Sequence, residues 1–293
     1  MNKIEKYIHK KSANYVGGKY RLLSQIIPLF PDKIDTFVDL FGGGFNVGIN
    51  VNANRIIYND ICTQVVDLLK HFYAHDSEYI HNQIIKTITD FGLSLSDING
   101  YEMYGCESSK DLDEYNKPKY FELRKAYNAN PDWTKFYTLI TCSFSNQIRF
   151  NSKGEFNMPY GKRDYNISLQ KKLKLFVEEM QKKEILFLNK DFRDCNFETD
   201  NFIYADPPYY NSTATYNANG AWSEQDEKDL LDILDCVDKN GRFALSNNLK
   251  YDNPYLDKWK DKYNVHCLNG DYSNCNYHKI DRSKDYEILI TNY

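Results

Sequence analysis

Short apolar runs separated by turn residues open the chain and predict the beginning of a sheet. One run, residues 36–40, leads into Gly42-Gly43-Gly44. A second, residues 55–58, ends at Asn59-Asp60, and the spacing between the two runs favours a helix over residues 45–51. A strand, a glycine turn, a helix and a second strand in this order are typical of a doubly wound α/β sheet.

The pattern changes between about residues 61 and 175, which are more polar and rich in helix-forming residues. Pro118 and Pro131 are predicted helix starts there, and residues 151–166 are loop-like. Strand patterns then return, with a helix-like segment at residues 224–237. The later predicted strands are residues 185–188, 202–205, 242–245, 265–268 and 286–291. We therefore expect an α/β domain of residues 1–60 and 185–293, interrupted by an inserted helical domain of residues 61–184.

Composition limits the class of protein. A chain of 293 residues with 42% hydrophobic residues can form one large core and a smaller attached domain. No apolar run approaches the roughly 20 residues of a membrane span, and no apolar signal region follows the charged N-terminus. We expect a cytoplasmic protein without a membrane partner. The seven cysteines are scattered and never spaced as close ligand pairs, which indicates reduced thiols and no metal site.

The net charge of −4 argues against a uniformly basic nucleic-acid-binding protein. DNA is nevertheless bound by local patches rather than by average charge. Basic clusters occur at residues 3–11, 149–163 and 279–284. Each alone is more typical of a solvated face than of a DNA site, so its meaning depends on its neighbours.

The run Asp206-Pro207-Pro208-Tyr209 directly follows the apolar residues 202–205. This is the carboxyl end of a predicted strand, where ligand crevices form in open α/β sheets. Two consecutive prolines cannot continue a strand ladder and hold a rigid, extended turn. A plain turn after a strand remains the alternative interpretation.

Several segments together resemble the Dam-type (D12 class) DNA adenine methyltransferases, over nearly the whole chain and in that family's order. The matching segments are residues 14–20, 39–44, 59–60, 149–161, 191–192, the run 206–209, 245–248 and 287–293. The resemblance implies a Rossmann-like class I methyltransferase sheet with an inserted helical target-recognition domain. It also implies S-adenosylmethionine as cofactor and double-stranded DNA as substrate, methylated on an adenine amino group after base flipping. A further implied partner is a cognate restriction endonuclease acting on the same site.

The chemistry of that reaction explains the composition of the run. The lone pair of an adenine amino nitrogen is delocalised into the ring, so both N–H bonds must be engaged by acceptors before it becomes a good nucleophile. Asp206 and a backbone carbonyl of Pro207 or Pro208 can supply these acceptors. Tyr209 offers a flat face to an extruded base, which offsets part of the cost of unstacking it.

The glycine turn and Asp60 are candidate cofactor residues. Glycines also serve ordinary tight turns, whereas an acid at the end of the second strand commonly binds ribose hydroxyls. Asp60 could instead cap a following helix, residues 15–19 could form a plain turn, and Asp191 could cap a turn. The resemblance places cofactor contacts at Tyr15, Lys19, Asp39, Phe41, Gly43, Asp60, Asp191, Phe192 and Asp206. Phe45 stands where the family usually has glycine or a small residue.

Residues 149–163 mix cations, aromatic rings and turn residues, as a DNA-reading loop requires, although a surface loop has a similar composition. By resemblance, Arg149 reads a guanine bidentately and residues 144–146 occupy the place of a wedge in the DNA. A core phenylalanine is the alternative for Phe144. The candidate DNA-binding residues are Phe144, Ser145, Arg149, Asn151, Lys153, Pro159, Lys162 and Arg163. GATC is a candidate target only, because Asn14 replaces the lysine of some relatives that recognise it.

Other functional classes remain open at this point. One is a DNA-binding regulator that keeps the fold without catalysis, which the presence of Lys19, Asp60, Asp206 and Tyr209 disfavours. Another is methylation of RNA or of a protein amide, which residues 149–163 and the inserted domain disfavour. The sequence therefore favours an adenine-specific DNA methyltransferase.

Overall fold

The chain folds into two compact units. The computed structural model describes residues 18–108, 111–198, 200–211, 222–268 and 287–293. Of these, Gly18–Val66 and Lys183–Tyr293 belong to the first unit, and Asp67–Lys182 belongs to the second. The second unit therefore interrupts the first along the sequence.

Seven strands of the described residues form one sheet in the first unit, in the order β3-β2-β1-β4-β5-β7-β6. The strands are β1 (Thr36–Asp39), β2 (Arg55–Asn59), β3 (Glu184–Leu188), β4 (Asn201–Ala205), β5 (Arg242–Asn248), β6 (Asn264–Leu268) and β7 (Glu287–Thr291). Strands β1 to β5 pair in parallel, and β7 is antiparallel to both of its neighbours. The strand order reverses between β1 and β4, which opens a crevice at their carboxyl ends. This arrangement confirms the expected α/β fold with a Rossmann-like sheet.

The described helices and short 3-10 turns connect and cover the strands. The α-helices are α1 (Leu23–Ile26), α2 (Thr63–Ala74), α3 (Ser77–Asp90), α4 (Ser96–Asn99), α5 (Leu112–Ala129), α6 (Trp133–Cys142), α7 (Ile167–Met180), α8 (Glu224–Val237) and α9 (Pro254–Trp259). Helix α8 has the predicted bounds because Ser223 and Asp226 form a capping box at its start. None of the described helices is long and apolar enough to cross a membrane.

Apolar packing on both faces explains why the strand sequences are almost continuously hydrophobic. All five residues of β4 are buried. On one face, the core contains Val38, Ile203, Ala205, Leu245, Leu230, Leu231 and Leu234. On the other face, the Phe30 ring lies 4.9 Å from that of Phe202 and 5.6 Å from that of Tyr204. Central strands held in this way fix the positions of the residues that follow them.

The predicted helix over residues 45–51 is wrong. In the structure, this segment contains only a 3-10 turn at Gly48–Asn50. The Phe45 backbone has a φ of 58°, outside the right-handed helical region, and its buried ring packs edge-on against that of Tyr58 at 5.2 Å. The segment bends because the Gly48 N–H donates a hydrogen bond to the buried Asp39 carboxylate.

The second unit contains most of α2, from Asp67 onwards, and helices α3 to α7. Its core includes Phe72 against Tyr137 and the stacked rings of Tyr127 and Phe136, with centroids 5.2 and 5.5 Å apart. Pro118 was expected to start a helix but lies inside α5, so that prediction is wrong; the acidic first turn of Asp113 and Glu114 favours the earlier start. Asp132 caps α6 immediately after Pro131. Between residues 151 and 166 the chain is irregular, as predicted.

The cysteines of the described residues are all free: Cys62, Cys106, Cys142, Cys195, Cys236 and Cys267. Burial raises the pKa of both Cys62 and Cys142 to about 12. Since the thiolate is the reactive form, these two thiols are unreactive at neutral pH.

Candidate active site

A compact polar cluster connects the N-terminal segment with the end of β4. The Lys19 ammonium lies 2.7 Å from Asp206 Oδ1 and donates a hydrogen bond of 2.6 Å to the Tyr209 hydroxyl. The Lys19 side chain is only 2% exposed and that of Asp206 17%. The structure therefore brings together Lys19, Asp206 and Tyr209, three residues singled out from the sequence.

Glu287, the first residue of β7, completes this cluster and was not assigned a role from the sequence. Tyr209 donates its hydroxyl hydrogen to Glu287 Oε2 at 2.9 Å, and the Asn248 side-chain amide donates to Oε1 at 3.0 Å. The Lys19 ammonium is 3.8 Å from the same carboxylate. The available signal was an acid at the start of an otherwise apolar strand, since a buried charge needs partners.

Burial changes the acidity of the Asp206 carboxyl. It raises the pKa of Asp206 to about 6; the negative charge of Glu287 adds to the rise, while the Lys19 ammonium and the Tyr209 hydroxyl oppose it. At neutral pH the group is therefore mainly a carboxylate that accepts hydrogen bonds. Pro207 behind it is buried, and Pro208 and Tyr209 are half-buried. The rigid run therefore holds the Asp206 carboxylate, a hydrogen-bond acceptor with a raised pKa, at the carboxyl edge of the sheet.

The glycine turn wraps around Asp60. The Gly43 and Cys62 N–H groups each donate a 2.8 Å hydrogen bond to a different oxygen of the Asp60 carboxylate. The Tyr58 hydroxyl donates to the Gly43 carbonyl at 2.8 Å. A Cβ on Gly42 would lie 2.2 Å from the Tyr58 ring, so the turn needs glycine there. Asp60 does not cap α2, which begins at Thr63; it anchors the turn instead.

Asp39 lies at the end of β1 and is 2% exposed. Its carboxylate accepts a 3.0 Å hydrogen bond from the Gly48 N–H, which pulls the segment after the glycine turn towards the sheet. Burial raises the pKa of Asp39 to about 7, and the nearby charges of Asp206 and Asp60 add to the rise. Asp39, Asp60 and Asp206 thus form one electrostatically connected acidic group at the carboxyl edge.

An aromatic cluster lies in the same unit. The ring of Phe41 is 5.4 Å from that of Phe192 and 5.7 Å from that of Trp222, and the Phe192 and Trp222 rings are 5.5 Å apart. Asp191 accepts the Arg193 N–H and so caps the turn at Phe192–Asp194, as the alternative interpretation anticipated. The Arg193 guanidinium lies over the Phe192 ring at 4.5 Å. Trp222, which joins the predicted Phe41 and Phe192, was not found from the sequence.

In the second unit, Asn157 fixes the orientation of Arg149. The Arg149 Nε donates to the Asn157 side-chain oxygen at 2.7 Å, and Nη2 donates to the Asn157 backbone carbonyl at 2.9 Å. One edge of the guanidinium is thereby held by protein. The opposite edge, formed by Nη1 and the remaining hydrogen of Nη2, keeps its planar pair of donors.

A tight turn carries Asn151 and Lys153. The Asn151 side-chain oxygen accepts the N–H groups of Lys153 and Glu155 at 2.9 and 3.0 Å. Phe150 and Phe156 form an isolated antiparallel bridge below the turn, and Gly154 adopts a φ of 76°. The turn is therefore internally organised, and Lys153 is exposed on it.

Residues 144–146 form a strained surface turn. Phe144 is 47% exposed, so the alternative interpretation of it as a core residue is wrong, and Ser145 and Asn146 have φ values of 54° and 55°. The Phe144 N–H donates to the Pro159 carbonyl at 2.9 Å. A Cβ on Gly161 would lie 2.2 Å from the Ser143 carbonyl oxygen, so this close approach requires glycine.

The remaining predicted residues are placed as follows. Lys162 pairs with Asp113 at 3.2 Å, and the Arg163 carbonyl accepts the Tyr160 hydroxyl. All the candidate DNA-binding residues thus lie in the second unit, and the described candidate cofactor and catalytic residues lie in the first. Tyr15, Asn14 and the basic clusters at residues 3–11 and 279–284 fall outside the described residues.

Comparison with known proteins agrees with this geometry. Residues 15–274 match the family described as D12 class N6 adenine-specific DNA methyltransferase. The chain is 42% identical to Type II methyltransferase M.FokI from Planomicrobium okeanokoites, across 100% of this chain and 44% of that protein. It is 35% identical to Modification methylase StsI from Streptococcus sanguinis, across 99% of this chain and 43% of that protein. The chain thus spans less than half the length of these two relatives.

A third relative is close to this chain in length. Type II methyltransferase M1.LlaDCHI from Lactococcus lactis subsp. cremoris is 24% identical across 96% of this chain and 94% of its own sequence. The family match extends over the glycine turn, the second unit and the Asp206–Tyr209 run alike. By this match over most of its length, the chain belongs to the D12 class of N6 adenine-specific DNA methyltransferases.

Proposed function

We propose that this chain transfers a methyl group from S-adenosylmethionine to the exocyclic amino group of adenine in a short site of double-stranded DNA. The observation that carries the proposal is the Asp206 carboxylate, held by Lys19 at the end of a central strand and followed by two rigid prolines. The connected cluster of Lys19, Asp206 and Tyr209 supports an enzyme over a non-catalytic regulator on the same fold.

The chain's own contribution to the reaction is to orient and activate the amino nitrogen. Asp206 accepts one amino hydrogen, and the backbone carbonyl of Pro207 or Pro208 accepts the other, which makes the nitrogen lone pair available. When the methylated nitrogen releases a proton, a carboxylate with a pKa of about 6 is a suitable acceptor near neutral pH. Lys19 holds this carboxylate in place. The barrier is therefore lowered mainly by positioning.

The first unit has residues that suit S-adenosylmethionine. When bound, this group supplies an electrophilic methyl on a positively charged sulfonium. The acidic group of Asp39, Asp60 and Asp206 favours a cation, and the backbone of Gly43 comes close to Asp60 because glycine allows a tight turn. The aromatic rings of Phe41 and Phe192 offer apolar contact for an adenine ring. Lys19 balances part of the negative charge.

The second unit is proposed to recognise the DNA site. Arg149, with one guanidinium edge held by Asn157, presents the other edge for a bidentate contact with a guanine. Asn151, Lys153, Lys162 and Arg163 are proposed to contact phosphates, which orient the protein without reading sequence. Phe144, exposed on a turn fixed by Pro159 and containing Ser145, is proposed to fill the space left by a flipped base.

The biological setting is also a proposal. Two of the relatives reported above are named type II methyltransferases and one a modification methylase, which supports a role in restriction–modification with a cognate endonuclease acting on the same site. Such a system modifies cellular DNA, so we propose that the protein acts in the cytoplasm.

The test is transfer of labelled methyl from S-adenosylmethionine to mixed-sequence duplex DNA. Wild-type protein is expected to label adenine. Asp206→Ala is expected to stop transfer while cofactor binding remains measurable by calorimetry. Asp232→Ala, which removes an exposed acid of α8 in the same unit, is the matched control and is expected to retain transfer. Absence of label in every duplex tested with wild-type protein would overturn the proposal.

A further inference from the structure

We propose that Glu287 is a positioning residue of the methyl-transfer site, and that its carboxylate sets the arrangement of Tyr209 and Lys19 around Asp206. This inference rests on the proposed function. It adds a residue that does not itself contact the reacting groups in the proposed reaction. Glu287 does not touch the Asp206 carboxylate through any hydrogen bond of the described residues. Its influence passes through two neighbours.

The geometry around Glu287 is specific. Strands β5 and β7 pair so that Asn248 lies directly opposite Glu287. This pairing brings the Asn248 amide to one carboxylate oxygen at 3.0 Å, while the other oxygen accepts the Tyr209 hydroxyl at 2.9 Å. Both oxygens are thus engaged, and the residue is 3% exposed. The carboxylate has little freedom to move.

The bond from Tyr209 determines the direction of the hydrogen bonds beside it. The Tyr209 hydroxyl lies 2.9 Å from Glu287 Oε2 and 3.4 Å from Asp206 Oδ1. Because it gives its single hydrogen to the nearer oxygen, that of Glu287, its own oxygen accepts from Lys19 at 2.6 Å. Lys19 then directs another hydrogen towards Asp206 Oδ1 at 2.7 Å. Glu287, Tyr209, Lys19 and Asp206 therefore form one hydrogen-bonded chain, in which Lys19 donates towards both ends.

The balance of charges in this cluster indicates that Glu287 does more than form an ion pair with Lys19. Among the described residues, one ammonium, that of Lys19, lies within ion-pair distance of two largely buried carboxylates, Asp206 and Glu287. A second buried carboxylate costs desolvation energy that a simple ion pair would avoid. Its negative charge acts on Asp206 in the direction opposite to Lys19. Retaining it makes Asp206 a stronger proton acceptor.

Besides burial, three neighbouring groups act on the ionisation of Asp206: Lys19 in the N-terminal turn, Tyr209 at the end of the 206–209 run and Glu287 in β7. The charge of Asp206 in turn raises the pKa of Asp39 at the end of β1. Removing the negative charge of Glu287 makes protonation of Asp206 less favourable and lowers the pKa of Asp206. The acidic limb of the rate profile is then expected to move to lower pH, which a purely structural role would not produce.

The test is the full pH profile of kcat for Glu287→Gln, measured with the whole chain on methylatable duplex DNA. Glutamine keeps the shape and can still accept from Tyr209, but it has no charge. We expect kcat to fall on the order of 10- to 100-fold, with little change in the Kd for S-adenosylmethionine, and the acidic limb to shift downward. Glu184→Gln, an exposed acid at the start of β3, is the matched control and should leave both unchanged.

Two further variants separate the possible results. The double variant Glu287→Gln with Tyr209→Phe should lose less kcat than the product of the two single fold-losses, because both substitutions break the same hydrogen-bonded chain. If Glu287→Gln does not fold, Asn248→Ala removes the other donor to the carboxylate and should lower kcat with unchanged cofactor Kd. Wild-type kcat and an unmoved acidic limb in a folded Glu287 variant, or multiplicative losses, would overturn the inference. An inactive wild-type chain would instead overturn the proposed function.

Discussion

The Lys19 ammonium lies 2.7 Å from the Asp206 carboxylate, so the N-terminal segment of the described chain reaches the strand end that carries the Asp206-Pro207-Pro208-Tyr209 run. The pair is shielded from water, since the Lys19 side chain is only 2% exposed. A buried pair of this kind is sensitive to the loss of either partner, because the remaining charge stays buried and uncompensated. This relationship links the acidity of Asp206 to a residue far away in the sequence.

Replacement of Lys19 by methionine should shift the pH dependence of activity. Lys19 lowers the pKa of Asp206, so its removal raises that pKa and moves the acidic limb of kcat to higher pH. The loss of activity should therefore be larger at pH 6.5 than at pH 8.5. Lys174→Met, on an exposed face of α7, serves as control. A limb that moves to lower pH would contradict the account.

Arg149→Ala should weaken discrimination at one base pair of the site by about 1–3 kcal/mol, because a bidentate contact with guanine is lost. Asn157→Ala should lower discrimination at the same pair by a smaller amount, since it frees the guanidinium that Asn157 holds. Lys153→Ala should weaken binding to all sequences alike. Competition binding on a panel of single-base variants measures all three, and a uniform loss for Arg149→Ala would remove its base-reading role.

Asp39→Asn should change how stability depends on pH. In the folded protein burial raises the pKa of Asp39 to about 7, above its ordinary value of 3.8. The stability linked to its protonated form is fully present below pH 3.8 and is lost as pH rises through about 7. Asparagine does not titrate, so the variant should gain stability relative to wild type between pH 5 and pH 8.

Urea denaturation at both pH values measures this change. Asp32→Asn, at an exposed position, is the matched control. The free energy of unfolding of Asp39→Asn minus that of wild type should rise with pH. If this difference stays constant or falls, ionisation of the buried Asp39 carboxyl does not destabilise the folded protein.

Gly161→Ala should disrupt the turn that displays Phe144. The added Cβ would lie 2.2 Å from the Ser143 carbonyl oxygen, and backbone must move to relieve the clash. We expect a loss of about 1–3 kcal/mol in the free energy of unfolding, typical of overpacking. Gly105→Ala is the comparison, because its Cβ would meet no atom within 4 Å and only the positive φ opposes it. An unchanged free energy of unfolding for Gly161→Ala would refute the steric explanation.

The sheet could be predicted from the sequence because buried parallel strands occur as short apolar runs. The same reasoning located Asp206, which follows one of those runs. It failed at residues 45–51, because the carboxylates of Asp39 and Asp60 draw the N–H groups of Gly48 and Gly43 into a turn. Local helix propensity contains no information about these longer-range bonds.

Contacts between distant segments were the part that sequence patterns could not provide. Glu287 and Trp222 join the predicted residues only because the sheet and its connections bring them there. Asn157 lies within a stretch already interpreted as DNA-binding, yet its bond to Arg149 depends on the conformation of that loop. The assignment of the candidate DNA-binding residues to a reading role stays a prediction.

The most direct measurement is the identification of methylated nucleosides in duplex DNA after incubation with S-adenosylmethionine and either wild-type protein or Asp206→Asn. Asparagine keeps the size of the side chain but removes the charge that Lys19 holds. Mass spectrometry should find N6-methyladenine after incubation with wild type, and on the order of 100-fold less or none with the variant. Methylation at cytosine instead, or equal N6-methyladenine from both proteins, would contradict the account.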